Sequence, residues 1–303
     1  MSWRINITLI MLVLFSCNKG KPEEVVSLKK DYLIESWQLA DLLNQPNTKI
    51  LDFRADTLYN QGHIRNAIHI TRKAIEDVNY PYGGMMARKE QIEQLFGQLG
   101  ISSDDTIVIY DDNGVCEAAR LWWILQNYNF DNVKLLNGGF TAWLEHKGEL
   151  TTEKPEWQPT QFKLKGTPSM KYHISKEELV EALKDKPAVI DARSLDEYSG
   201  RQLKKGASRA GRIPNSIHVD WANNINFNGD KRFKSKEEIG KNYAFLNLQK
   251  QDPIILYCHS GVRSAHTTFV LTQLLGFENV KNYDGSWVEW SYHNDLPIEI
   301  ETF

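Results

Sequence analysis

The sequence is short of cysteine. Three thiols in 303 residues, Cys17, Cys116 and Cys258, cannot build a disulfide framework, so each is weighed alone. Charge of one sign is lacking as well: 36 Lys and Arg stand against 39 Asp and Glu, and a formal charge of -3 leaves no basic footprint for nucleic acid. Long apolar runs are missing, since Leu9–Phe15 falls well short of the ~20 residues a spanning helix needs. The eight histidines are scattered, and neither H-E-x-x-H nor C-x-x-C occurs, so no metal centre and no cofactor are expected. What is present is ordinary for a globular chain. With 41% apolar and 25% charged residues, disorder is excluded over most of the length, and two domains of ~150 residues are expected.

Residues 1–17 read as an address. Arg4 precedes the apolar run, and Leu14-Phe15-Ser16-Cys17 resembles a bacterial lipobox, in which the cysteine is lipidated and becomes the new N-terminus. The polar stretch 18–30 then reads as a tether. The expectation is an exported, periplasmic protein, anchored to a bacterial cell membrane through lipid on Cys17 and by no other means.

The body is written twice. KILDFRAD (49–56) recurs as AVIDARSL (188–195), and GHIRNAIHI (62–70) as GRIPNSIHV (211–219). TIVIYDDNGVCEAA (106–119) recurs as PIILYCHSGVRSAH (253–266), and FDNVKLLNGGFTAW (130–143) as FENVKNYDGSWVEW (277–290). Four ordered matches mark a duplicated domain, with extra residues of the second copy falling around Ser199–Ala210. Residues 31–150 form the first domain and 172–303 the second. Between them, 151–171 is polar, carries three prolines and reads as a linker.

Within each copy, β-branched runs such as TIVIY and IILY alternate with helical patterns over Trp37–Leu43, Glu117–Asn127, Glu177–Leu183 and Ser264–Leu275. Ser175 and Glu178 are spaced as a capping box. Near-continuous apolar strands separated by helices predict an α/β fold in which each domain is a mainly parallel sheet with helices on both faces.

The chemistry sits where a strand feeds a helix. In Tyr257-Cys258-His259-Ser260-Gly261-Val262-Arg263-Ser264 a tight loop follows IILY, and ligands of open parallel sheets bind beyond the carboxyl ends of the strands. Converging backbone N–H groups and a helix N-terminus stabilise a thiolate, the reactive form of cysteine. Arg263 and His259 are expected to add positive charge. In the first copy Asp111 stands opposite Cys258, and Cys116 opposite Arg263. That loop lacks the nucleophile and its cation, so it is expected to be silent and Cys116 a bystander. His69 and His218, at equivalent positions, are read as structural, as are Trp143 and Trp290. Trp122 and Trp123 are expected to bury a face between the domains.

The Asp-x-Arg strand ends, the G-H-I-x-x-A motif, the Cys-x4-Arg loop and the closing G-x-W or G-F-x-x-W motif together resemble the rhodanese family, in its tandem-domain form, over about residues 31–297. The resemblance implies that Cys258 takes a sulfane sulfur and becomes a persulfide. The loop from His259 through Ser260, Gly261 and Val262 to Ser264 would cradle that sulfur, and Arg263 would hold an anionic donor. Asp191 and Arg193 match a strand-end pair that buttresses the domain, and His63 matches a histidine that faces the active cleft in some members. The partners implied are a small sulfur donor, thiosulfate or 3-mercaptopyruvate, and a thiol or cyanide acceptor, with the protein a monomer.

Arg263, where the mercaptopyruvate branch commonly has threonine, tilts the reading toward thiosulfate, the more highly charged donor. Glu197 stands where eukaryotic members often place a substrate-binding arginine. Arg201, Arg209 and Arg212, in or beside the extra segment, are candidates for the missing charge, against the alternative of a solvated basic loop that includes Lys204 and Lys205. A cysteine-dependent phosphatase is disfavoured, because such loops hold five residues between Cys and Arg and this one holds four. A non-catalytic binding module is disfavoured by the thiol itself.

Overall fold

The computed structural model describes residues 31–301; Cys17 and the segment before Asp31 lie outside the described residues. The strands of the first domain are β1 (Leu33–Ile34), β2 (Thr48–Asp52), β3 (His63–Ile64), β4 (Ala67–His69), β5 (Thr106–Tyr110), β6 (Val133–Leu136) and β7 (Leu150–Thr151). Those of the second are β8 (His173–Ile174), β9 (Ala188–Asp191), β10 (Ile217–His218), β11 (Ile254–Tyr257) and β12 (Val280–Tyr283). The duplication is visible in the topology. One sheet runs β1-β6-β5-β2-β4 and the other β8-β12-β11-β9-β10, every pairing parallel, so equivalent strands occupy equivalent places. A short antiparallel ribbon joins β3 to β7.

Both faces of each sheet are covered, as the unbroken apolar strands require. In the first domain Leu51, Ile107 and Ile109 enter one core, while Ile50, Val108 and Tyr110 enter a second on the opposite face. In the second domain Ile190, Ile254 and Leu256 share the first of those cores, and Val189, Ile255 and Tyr257 face a third. The two sheets therefore turn one face each toward a common interior. Helices Cys116–Asn127 and Val262–Phe269 meet there, with the Trp122 ring edge-on to Phe269 at 4.9 Å and stacked on Tyr172 at 5.6 Å. Arg120 of the first domain forms a buried ion pair with Asp284 of the second at 2.6 Å. The connecting segment buries Phe162 and Leu164, with Phe162 edge-on to Phe96.

Local chemistry sets the helix ends. Ser175 and Glu178 form the capping box that their spacing predicts. The helix predicted over Ser264–Leu275 begins earlier, at Val262, because Gly261 adopts a left-handed φ of 75° and turns the chain into it. Its continuation, Val270–Leu274, is π-helical; the hydroxyls of Thr267 and Thr268 just before it and of Thr272 within it donate to carbonyls four residues back. Trp143 and Trp290 are buried, each donating its indole N–H to a backbone carbonyl.

His266, on the shared face, is wholly buried against Phe233 (5.0 Å between ring centres) and Trp221 (5.1 Å). Burial drives its pKa down to about 3, so the folded protein holds it neutral. The unfolded chain binds a proton there near pH 6.5, so stability is lost as pH falls from that value toward 3, by up to ~1.4 kcal/mol per pH unit. His259, at about 4, acts in the same sense; Asp111, raised to about 6, opposes it below that pH. Scanning calorimetry between pH 7 and 5 is expected to show a falling Tm whose slope is shallower in His266→Phe; equal slopes would contradict the assignment.

Candidate functional site

The loop after β11 is held rigid from outside. Ser286 Oγ accepts the amides of Cys258 (3.2 Å) and Gly261 (3.0 Å), and Asn282 Nδ2 donates to the Gly261 carbonyl at 3.1 Å. The carbonyls of Cys258 and His259 accept from the amides of Trp287 and Val288. A Cβ at Gly261 would sit 2.7 Å from the Asp284 carbonyl, so only glycine permits this close turn. Cys258, fully buried, faces the remaining amides. Burial pushes its thiol up, yet the charge of Arg263, the Ser264 hydroxyl and the amides of Ser264 and Ser260 outweigh burial and leave it below the ordinary thiol value. The Ser264 hydroxyl is buried and holds no other protein nitrogen or oxygen.

The first copy shows what such a loop is shaped to bind. Asp111, at the position of Cys258, puts its carboxylate into the turn and accepts four amides: Asn113 (2.9 Å), Val115 (2.8 Å), Glu117 (2.8 Å) and Ala118 (3.1 Å). The corresponding amides of the second copy belong to Ser260, Val262, Ser264 and Ala265. One loop carries its own anion; the other carries a thiol in the anion's place. Burial, with Glu117 and Asp111 beside it, holds the Cys116 thiol well above its ordinary value, so it stays protonated.

Both loops open on one cavity of about 460 Å³ between the domains, lined by Cys258, His259, Ser260, Val262 and Arg263 from the second domain and by Arg72, Cys116 and Glu117 from the first. Arg263 does not stand free. Glu197 grips it with two bonds, at 2.6 and 2.9 Å, and that guanidinium, against the opposing effect of burial, holds the Glu197 carboxyl at about 2. Arg72 is likewise bound twice by Glu117, and reaches Ser260 Oγ at 3.4 Å. Lys204 and Lys205 also line the cavity.

His259 does not supply the expected charge. Burial lowers its pKa to about 4, and the neutral ring donates through Nε2 to the Lys205 carbonyl at 3.0 Å. His63 does not face the cleft. It is buried in the first domain, stacked on Tyr59 at 3.8 Å, with its ring nitrogens on the carbonyls of Tyr59 and Glu153. Asp191 and Arg193 form a fully buried pair, with Arg193 also donating to the Gly211 carbonyl; Asp52, Arg54 and Gly62 repeat the arrangement. His69 and His218 each bond the carbonyl of the neighbouring arginine, at 2.8 Å.

The three candidate arginines of the extra segment are engaged elsewhere. Arg201 lies against Asp196 and Ser199, Arg209 donates to carbonyls of Trp290, Ser291, His293 and Leu296, and Arg212 pairs with Glu299 and Glu301 over the Tyr198 ring. Arg72 was invisible to sequence reasoning because it comes from the other domain. The signal for Lys204 and Lys205 was present: they lie on the one segment found in the copy that has the nucleophile and absent from the copy without it.

Comparison with known proteins agrees with this architecture. The family description "Rhodanese-like domain" matches residues 37–146 and 175–293. A putative thiosulfate sulfurtransferase of Mycolicibacterium smegmatis is 35% identical, the match covering 90% of this chain and 99% of that one. The sulfur carrier protein TtuD of Thermus thermophilus is 34% identical over 88% of this chain and 96% of its own length. In fold, the chain superposes on the Tum1 protein of Saccharomyces cerevisiae with a TM-score of 0.79 at 23% identity, covering 89% of this chain and 98% of that one. For SseA of Escherichia coli, a 3-mercaptopyruvate sulfotransferase by its description, the TM-score is 0.73 at 24% identity, over 85% and 99% of the two chains. The chain belongs to the rhodanese family, with two copies of its domain in tandem.

Proposed function

We propose that the protein is a sulfurtransferase that moves a sulfane sulfur from thiosulfate, through a persulfide on Cys258, to a thiol or cyanide. The observation that carries this reading is the anion cradle. The amides that enclose a carboxylate at Asp111 recur around a thiol at Cys258, so the second loop is built for negative charge on sulfur.

In the first half-reaction the Cys258 thiolate attacks the outer sulfur of thiosulfate. A new S–S bond forms, the old one breaks, and its electron pair leaves with sulfite. In the second, an acceptor thiolate or cyanide takes the outer sulfur and the Cys258 thiolate departs. Fixed amides stabilise the charge on sulfur in both states without reorganising, the electrostatic contribution that usually dominates. Covalent transfer in two halves predicts ping-pong kinetics.

Thiosulfate is favoured over 3-mercaptopyruvate by the surroundings of Ser260, whose hydroxyl faces the guanidinium of Arg72 at 3.4 Å, a cation suited to the more highly charged donor. The names of relatives, among them the thiosulfate sulfurtransferase of Corynebacterium glutamicum, support the same reading. The first domain serves as a silent partner whose loop is filled by Asp111, and the leader ending in Cys17 supports export and a lipid anchor. Mass spectrometry after thiosulfate treatment is expected to find one added sulfur atom on the Cys258 peptide, discharged by cyanide as thiocyanate. A peptide unchanged by thiosulfate overturns the proposal.

A further inference from the structure

The cavity holds four cationic side chains beside the neutral His259, and their pairing separates them into two kinds. Arg263 is bound twice by Glu197 and Arg72 twice by Glu117, so each guanidinium meets a carboxylate before any donor arrives. Lys204 and Lys205 line the same cavity and have no ion pair or hydrogen bond from their ammonium groups among the described residues. They lie where the second copy is longer than the first, on the segment around Ser199–Ala210.

That segment is fixed to the active loop. The Lys205 carbonyl accepts from His259, the residue next to Cys258, at 3.0 Å, and Gly206 follows with φ of 104°. A Cβ at Gly206 would come within 3.5 Å of His259 Nε2, so the backbone passes close against the Nε2 edge of the imidazole. Lys204 is close enough to act electrostatically on both Glu197 and His259. The backbone is therefore positioned while the two ammonium groups keep the freedom of long side chains.

Resting on the sulfurtransferase reading, we propose that Lys204 and Lys205 bind the anionic group that leaves the donor, and that the enzyme selects donors by that charge. During transfer the S–S bond of the donor breaks and its electron pair stays on the departing sulfite, whose oxyanion charge the two ammonium groups meet. Arg263 is then a positioning residue, holding its charge beside Cys258 against Glu197, while the lysines touch the substrate. The substrate class that follows is small sulfane donors with a charged sulfonyl end: the thiosulfate dianion ahead of a monoanionic alkyl thiosulfonate, which loses a neutral-tailed sulfinate.

The test is a double variant, Lys204→Ala with Lys205→Ala, compared with wild type on thiosulfate and on methanethiosulfonate at several ionic strengths. Two charge-assisted contacts of ordinary strength predict a rise in KM for thiosulfate of about tenfold or more, with a smaller fall in kcat because the charge they meet grows on the departing sulfite. The rise for methanethiosulfonate is expected to be smaller, and the salt dependence of KM to flatten in the variant. Lys204→Arg with Lys205→Arg is expected to restore the wild-type preference. Because both side chains are exposed, thermal melting is expected to be unchanged, which separates a binding loss from a folding loss. A double variant with the wild-type ratio of the two donors overturns the lysine assignment and leaves sulfur transfer standing. A wild-type enzyme that gains no sulfur on Cys258 from either donor overturns both.

Discussion

Replacing Cys258 with serine is expected to lower kcat/KM for thiosulfate by on the order of 10³-fold or more, with the fold intact. The argument lies in what the loop can and cannot do for oxygen. The amides, the Ser264 hydroxyl and Arg263 bring a thiol below its ordinary pKa, and thiolate is the nucleophile. A serine hydroxyl ionises so much less readily than a thiol that the same donors cannot make an alkoxide near neutral pH. The two titratable groups nearest the loop are already engaged, His259 with the Lys205 carbonyl and Glu197 with Arg263. The swap adds no atoms to a fully buried site, so cooperative unfolding is expected to stay close to wild type. Rates of thiocyanate formation, read beside a thermal melt, check both halves; a folded serine variant with a large fraction of wild-type turnover would sink the assignment of Cys258.

Much of this architecture was legible because duplication let one half of the sequence check the other. Four repeated segments became two sheets of identical strand order. The repeated Asp-x-Arg became two buried ion pairs, and His69 and His218 took identical bonds. The strand-end cysteine was legible for a local reason, since a tight turn between a strand and a helix fixes the amides around it wherever the domain sits. What was hidden was compensation. A sequence shows that Arg263 is a cation and Glu197 an anion, but not that chain reversal brings them together, because the contact depends on how helix Leu195–Ser199 packs beside the loop. Charge alone therefore pointed to Arg263 for the donor and left Arg201, Arg209 and Arg212 as candidates beside a solvated basic loop, whereas each of these arginines is engaged by protein atoms. Lys204 and Lys205 read as solvated surface in the sequence, and the fold places them on the cavity wall. His63 failed for the opposite reason: motif matching placed the residue type correctly, and local packing turned the ring onto Tyr59, away from the cleft.

The pairing of Arg263 with Glu197 gives the second large effect. Glu197 is almost wholly buried and Arg263 keeps only a small exposed edge on the cavity, so Glu197→Ala strands a charge that water reaches poorly. Removing one partner of a buried pair typically destabilises by about 3–5 kcal/mol. The cavity edge of Arg263 places the expected value at the lower end, a fall in Tm of roughly 5–10 °C. Glu197→Gln, which keeps the hydrogen-bonding shape without the charge, is expected to lose less. Removing both charges, in Glu197→Ala with Arg263→Met, is expected to recover part of the loss, because no uncompensated ion remains. The pH dependence has a definite sign. Glu197 titrates near 2 when folded, below its unfolded value, so its contribution is complete above about pH 4.5 and is lost as pH falls toward 2. The effect on chemistry runs against the effect on stability: with Glu197 gone, the full charge of Arg263 acts on Cys258, and the thiol is expected to ionise at lower pH. Alkylation by iodoacetamide across pH reads that shift in the surviving folded protein. If Glu197→Ala melts and alkylates like wild type, the pair neither holds the loop nor tunes the thiol.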